Sequence, residues 1–449
     1  MRITRSIVVS AGLLFSCFPI HAQDENSSQP LTLQQTIALA LQNSGDVALA
    51  RARYAVSQNQ LSADHAVFQP NLYAGSNAAY TQGFPFIAKQ TPSVFNMNYV
   101  QTLFNLPLRG QDKAAKERAE QTRIELQRVR DDVTVRAATT YLELADVQES
   151  LELAQSEESS ADSILRVVRE RSSAGYELPI EVTRARLTLA QIKERLTKLR
   201  DRDDILRAQL RTLIGYASDK QFKIRSEELR SFEKPQPTYP LDAALNFNPV
   251  IEQAERERDA RAFIAQGEKG GYWPTVDTVG KYDVLSEEIN HWKEFIANPK
   301  FFRENNVTVG ISSRIPILNP TTSANVALAK SQLQEAELSL ANQQQNLALD
   351  VKQRFQRLRE LRAAWDVREL ELKIADDLLA ASQAREAQGR GMAKELARAR
   401  LEDNEKQEAV LDATFETARE ELMLLEMIGK LSDVFPSLTG AQQSGSVGR

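Results

Sequence analysis

Two stretches of the chain, AGYELPIEVTRARL (Ala174 to Leu187) and QGRGMAKELARARL (Gln388 to Leu401), keep the same spacing around a glycine. Gly175 is followed by Glu181, Val182, Ala185, Arg186 and Leu187, and Gly389 by Glu395, Leu396, Ala399, Arg400 and Leu401. Every offset is equal, and the shift is 389 − 175 = 214 residues. Earlier in each half, Leu41 aligns with Leu245 and Pro70 with Pro274 at a common shift of 204. A chain that repeats itself over half its length must build its fold twice, so each half specifies one unit of a two-unit architecture.

Within each half the hydrophobic period changes in the same order. LTLQQTIALALQNS opens a helical pattern with a break near Ser44-Gly45. Strand-like alternation follows, as in NVTVGISSRIPIL, where Val307, Val309, Ile311, Ile315 and Ile317 share one face and Thr308, Gly310, Ser312 and Arg314 the other. Then comes a proline-free helical run from about Arg109 to Arg171, with Leu126, Val129, Val133, Ala137, Tyr141 and Leu144 in phase. Such a helix is roughly 95 Å long. Its counterpart runs from about Thr321 to Gln388. A shorter helix follows each glycine, from about Pro179 to Ile214 and from about Ala393 to Lys430. The apolar stripes look narrow and the other faces charged, which suits coiled-coil pairing. The chain thus divides into residues 23–215, a Pro-rich linker 216–240, residues 241–431, and a polar tail 432–449 expected to be disordered.

Arg2 and Arg5, the apolar core Ile7 to Phe18 and a cleavage site after Ala22 form an export signal over residues 1–22. A lipid anchor at Cys17, the sole cysteine, is the alternative processing. The net charge of −5, without a basic cluster, gives no sign of a nucleic-acid partner. The mean hydropathy of −0.41 excludes a bundle of membrane-spanning helices but not a membrane β-barrel. His65 and His291 stand in unlike contexts without metal-ligand spacing. No phosphate loop or nucleophile elbow is present, so neither a cofactor nor an enzymatic activity is expected.

Each glycine suits a helix terminus, where positive φ is needed. Pro179 suits the first turn of the next helix, and Glu181 and Glu395 suit its positive end. These local reasons account for a single hairpin. Two hairpins with one motif suggest that both tips lie at the same end of the molecule and do a common job.

The order helix, strand, strand, long helix, glycine tip, shorter helix, twice behind an export signal, resembles the TolC-type outer-membrane efflux proteins. The pieces that carry the resemblance are LTLQQTIALALQNS, YVQTLFN, ISSRIPIL and the tips at Gly175 and Gly389. The resemblance implies a mostly α fold with membrane β-structure. In it a homotrimer forms an α-barrel tunnel through the periplasm, and each protomer gives four strands to one shared β-barrel in outer-membrane lipid. It also implies partners, a periplasmic adaptor (membrane fusion protein) and an inner-membrane transporter, in efflux or type I secretion. The rival reading is an exported coiled-coil spacer or adaptor without a channel, which would need no strands. In the family, acidic residues at the second tip line the entrance constriction. Glu395 falls on the first of those positions, and the second is Arg398 here, a departure from a doubly acidic gate. The family's basic bracing residue falls at Gly391, with Arg390 beside it. The resemblance therefore suggests Gly175, Glu181, Gly389, Arg390, Glu395 and Arg398 as the tip and gate set. The segments between paired strands, GFPFIAKQTPS and LSEEINHWKEFIANPKFFRENN, are expected to be extracellular loops.

Overall fold

The computed structural model describes residues 30–77, 93–217, 221–232, 247–284, 305–388 and 393–435. The export signal with Cys17, His291, both inter-strand loops, Gly389, Arg390 and Gly391 lie outside the described residues. The first half contains α1 (Leu33–Asn43), α2 (Gly45–Ala66), β1 (Asn71–Asn77), β2 (Ser93–Phe104), α3 (Leu106–Ser173) and α4 (Pro179–Ile214). The second contains α5 (Pro249–Lys269), β3 (Thr275–Val284), β4 (Asn305–Arg314), α6 (Pro320–Ala387), α7 (Ala393–Met427) and the single turn α8 (Leu431–Val434).

The duplication holds in three dimensions. The helices α3 and α6 both have 68 residues, and both their ends differ by 214 in number. The starts of α2 and α5, and of β1 and β3, differ by 204. Both shorter helices also end on a left-handed glycine, Gly215 with φ 71° and Gly429 with φ 67°. A side chain there would collide with Asn43 in the first half and with the Phe247 carbonyl in the second. The same ends are tied by similar bonds at positions one residue out of register, from Asn43 Nδ2 to the Ile214 carbonyl at 2.8 Å and from Asn248 Nδ2 to the Met427 carbonyl at 2.6 Å.

The strands form one antiparallel sheet in the order β1-β2-β3-β4. The helices that lead into or out of them lie side by side in the matching order α2, α3, α5, α6. One layer of helices thus continues one layer of sheet. Directly opposed residues share a face of a sheet. Met97 faces Ala74 and Tyr282, Tyr282 faces Val307, Tyr99 faces Leu72 and Gly280, and Gly280 faces Val309. That face is largely apolar. The other carries Asn96, Asn98, Lys281, Asp283, Thr308 and Ser312, with Lys281 paired to Asp283 at 2.8 Å. Among the described residues no second layer packs across either face, and Val307, Val309 and Ile311 are exposed. Among the described residues no helix is long and apolar enough to cross a membrane.

The main core surrounds the middle of α3, where α1, the end of α4 and a 3₁₀ segment (Ser226–Phe232) converge. Ile37, Leu142, Leu206, Leu210 and Leu229 are fully buried there. The buried Tyr141 hydroxyl donates to the Leu31 carbonyl at 2.9 Å and accepts from the Arg225 N–H at 3.1 Å. Two expectations change here. Part of the stretch taken as linker is built into the first unit, because Ile224 and Leu229 bury their side chains in its core. The expected tail starts later than residue 432, because Phe435 is buried in the same core. The narrow stripe also fails for α3, which is touched by α1, α2, α4, α5 and α7 and so buries most of its circumference near Val133 to Val147.

Candidate functional site: the hairpin tips and the seam above them

The first tip is closed by hydrogen bonds around Gly175, whose φ is 80°. The Gly175 N–H donates to the Ser172 carbonyl at 3.1 Å and the Tyr176 N–H to the Arg171 carbonyl at 2.9 Å. This is the Schellman pairing, which satisfies carbonyls that the helix end leaves open. Pro179 then opens α4 in its first turn. Glu181 lies in that turn and pairs with Arg184 at 2.6 Å. Between them Tyr176, Leu178 and Ile180 are exposed.

At the second tip α6 ends at Ala387 and α7 begins at Ala393, with Glu395 exposed in its first turn. Glu395 and Arg398 do not meet the same surroundings. Arg398 lines a cleft of about 150 Å³ together with Glu181, Arg184 and Thr188 of α4 and with Ile164 and Val168 of α3. Glu395 is not part of it. The structure therefore brings Glu181 and Arg398 to one cleft between the two hairpins of a single chain.

Higher up, α7 lies against α3, and the charges between them carry no mark in the sequence. Arg195 of α4 reaches Glu157 of α3 and Glu408 of α7, the latter at 2.8 Å. One cation thus ties both hairpins together. Near the main core, Asp146 of α3 is buried, and its Oδ1 has no hydrogen-bond partner. Burial first, and then the nearby Asp412, Glu143, Glu408 and Glu149, push its carboxyl up to about 8. Burial likewise raises Glu421 to about 7, with Arg362 opposing, and Asp131 to about 6. Asp403 rises to about 6 through burial and its contact with Asp376. No local signal marks these residues, because a carboxylate on a solvated helix face has the same sequence context as one under a neighbouring helix.

The raised values fix the sign of a pH effect. Each of these carboxyls keeps its proton in the folded chain to a higher pH than in the unfolded chain. Their stabilising contribution is complete below the ordinary carboxylate range and is lost as pH rises through the folded values, about 6 to 8. The thermal midpoint is expected to fall by several degrees between pH 5.5 and pH 8.5. Asp146→Asn should flatten the upper part of that fall, as differential scanning calorimetry can measure. An unchanged slope in the variant would show that Asp146 does not titrate there.

Comparison with known proteins matches the chain to the family described as outer membrane efflux protein, over residues 36–216 and 241–430. No curated protein matches. Solved structures share the fold. A structure of the transmembrane channel CusC has 16% identity and a TM-score of 0.72, covering 88% of this chain and 92% of that one. The outer membrane protein VceC from Vibrio cholerae has 17% identity and a TM-score of 0.69, covering 88% and 96%. The CmeC outer membrane channel from Campylobacter jejuni has 16% identity and a TM-score of 0.69, covering 91% and 89%.

Proposed function

The chain belongs to the outer membrane efflux protein family, and from that premise we propose that three copies close into a passive exit duct. In this reading the sheet is one third of a barrel in outer-membrane lipid, and the helices form the wall of a periplasmic tunnel. The observation that carries it is the sheet, which among the described residues is single-layered, with an apolar face, a polar face and unpaired edges at β1 and β4. Open strand edges are not tolerated in lipid, whereas a barrel closed from several copies leaves none. The apolar face then meets lipid and the polar face lines the pore. A coiled-coil spacer has no use for such a sheet.

The duct does no chemistry and draws its energy from an inner-membrane transporter, reached through a periplasmic adaptor. Exposed Tyr176, Leu178 and Ile180 give the tip an apolar rim on which an adaptor can dock. The tips also form the gate. A threefold axis brings copies of each tip charge close together, and repulsion in a narrow entrance is screened less than on an open surface. Arg398, in its cleft with Glu181, offsets the carboxylates and holds the second hairpin against the first.

Planar-bilayer recording tests this reading. The wild-type protein should give small, discrete conductance steps. Arg398→Ala should raise the leak conductance, and Arg398→Asp should raise it further and shift selectivity toward cations. A wild-type protein that never conducts would defeat the duct. A conducting protein insensitive to both substitutions would leave the duct standing and remove Arg398 from the gate.

A further inference from the structure

A cavity of about 800 Å³ lies where α3, α6, α7 and the 3₁₀ segment meet. Its walls carry four carboxylates from three of these elements, Glu149 and Glu152 of α3, Glu227 of the 3₁₀ segment and Glu369 of α6. No lysine or arginine is among its described lining residues. Two cations next to the lining in sequence are engaged elsewhere, since Arg368 and Lys406 both reach Glu371, at 2.9 and 3.2 Å. Much of the remaining lining is apolar, from Leu153, Leu372, Val410 and Leu411, with Gln407 beside them. Trp365 completes it, and its indole Nε1 donates to Oγ1 of the buried Thr414 at 3.0 Å. That bond fixes the indole and leaves its ring, not its N–H, to meet a ligand.

Two observations separate this cavity from an ordinary run of solvated helix charges. Asp146 stands one turn before Glu149 on the same face of α3, and the Glu149 charge acts on it. Asp146 is 7% exposed, and its Oδ1 has no hydrogen-bond partner. A buried carboxylate oxygen of this kind is stabilised by a cation brought to it. The second observation comes from the repeat. Subtracting 214 from Trp365, Glu369 and Gln407 gives Leu151, Gln155 and Lys193. The first hairpin thus loses the ring and the carboxylate and gains a cation. The acidic, aromatic lining is therefore not a product of the duplicated architecture.

We propose that this cavity binds a hydrophobic organic cation, a quaternary or protonated amine on an aromatic or alkyl body. The body packs against Trp365, Leu153 and Leu411, and the charge lies among Glu149, Glu152 and Glu369. Attraction of a cation to an indole face adds to that of the carboxylates. The volume falls within the usual range of small-molecule sites, roughly 300–1,000 Å³. Such a ligand touches α3 of the first hairpin and α6 and α7 of the second at once, so it braces the two hairpins against each other. The site needs only the fold of one chain, so its test is separate from that of the duct.

Ethidium, an aromatic cation, is the probe. Its fluorescence anisotropy is followed against the protein extracted from membranes in mild detergent, with protein-free micelles as the baseline. Saturable binding at one site per chain is expected, weakening as salt is raised. Trp365→Leu should weaken it about fivefold or more, whereas Trp365→Phe, which keeps a ring, stays within about twofold of the wild type. Glu152→Gln combined with Glu369→Gln should weaken it about tenfold. Asp350→Asn, about four turns up α6 from Trp365, should leave it unchanged. Ethidium should also raise the thermal midpoint of the wild type but not of Trp365→Leu. An unchanged elution volume in size-exclusion chromatography shows that each variant is folded. A wild-type protein without saturable binding overturns the proposal. So does binding that Trp365→Leu and the double glutamine variant leave intact, or that Asp350→Asn weakens as much as they do.

Discussion

Gly110→Val is expected to abolish assembly and leave the chain aggregated or degraded in the periplasm. The added Cβ alone would lie 2.7 Å from the Phe263 carbonyl oxygen and 2.8 Å from the Gly267 Cα. Overpacking that side chains can absorb costs about 1–3 kcal/mol. Here the obstacle is backbone on a neighbouring helix, so α3 and α5 must separate along their length. Both helices lead into strands, α3 from β2 and α5 into β3, and those strands are paired with each other. Spreading the helices therefore strains the sheet as well. Gly267→Val should fail in the same way, with the Gly110 Cα and the Leu106 carbonyl as the obstacles. Ala324→Val, at the counterpart position, should be tolerated much better, because α6 meets no such crossing within its own chain. Trimer yield from outer membranes, measured for the three variants, checks the contrast. Equal yields would mean that the glycine crossing is not what sets the helix spacing.

Val309→Lys is expected to remove the protein from the outer membrane, whereas Thr308→Lys leaves it there. The two residues are neighbours on β4 and point to opposite faces of the sheet. Val309 faces Gly280 on the apolar side, and Thr308 faces Lys281 on the polar side. A lysine on the lipid face of a barrel costs roughly 2–4 kcal/mol at mid-membrane. The proposed trimer carries the change three times, so the penalty reaches roughly 6–12 kcal/mol, comparable with the whole stability of a typical domain. A lysine at position 308 adds like charge beside Lys281 but keeps its water. Sucrose-gradient fractionation with a membrane-extraction step distinguishes the two. If both variants insert equally well, the face assignment is inverted or the sheet does not meet lipid.

Much of the fold was legible because its determinants are local or repeated. Gly175 and Pro179 mark a helix end and a helix start by backbone chemistry alone, and both fall where expected. The alternation through Val307, Val309 and Ile311 set the faces of β4 before any partner was known. The shifts of 204 and 214 survive as matched helix and strand starts. What escaped depends on contacts between distant segments. Gly110 inside a helical pattern looks like a weak point until Gly267 is seen against it. Arg195 and Glu408 look like solvated helix charges until α7 lies over α3 and brings them within 2.8 Å. Ile224 and Leu229 sit in a stretch that reads as linker, and only the packed core shows why they are apolar. Arg398 stands out in the sequence as a departure at the tip, but its cleft with Glu181 exists only with both hairpins in place.

The central claim is that this chain closes a membrane duct only as a ring of copies. The most direct test is the native mass of the protein extracted from outer membranes in mild detergent. The account predicts a complex of three chains, obtained from the outer-membrane fraction and absent from the soluble periplasm. A monodisperse single chain recovered from the periplasm without detergent would contradict it.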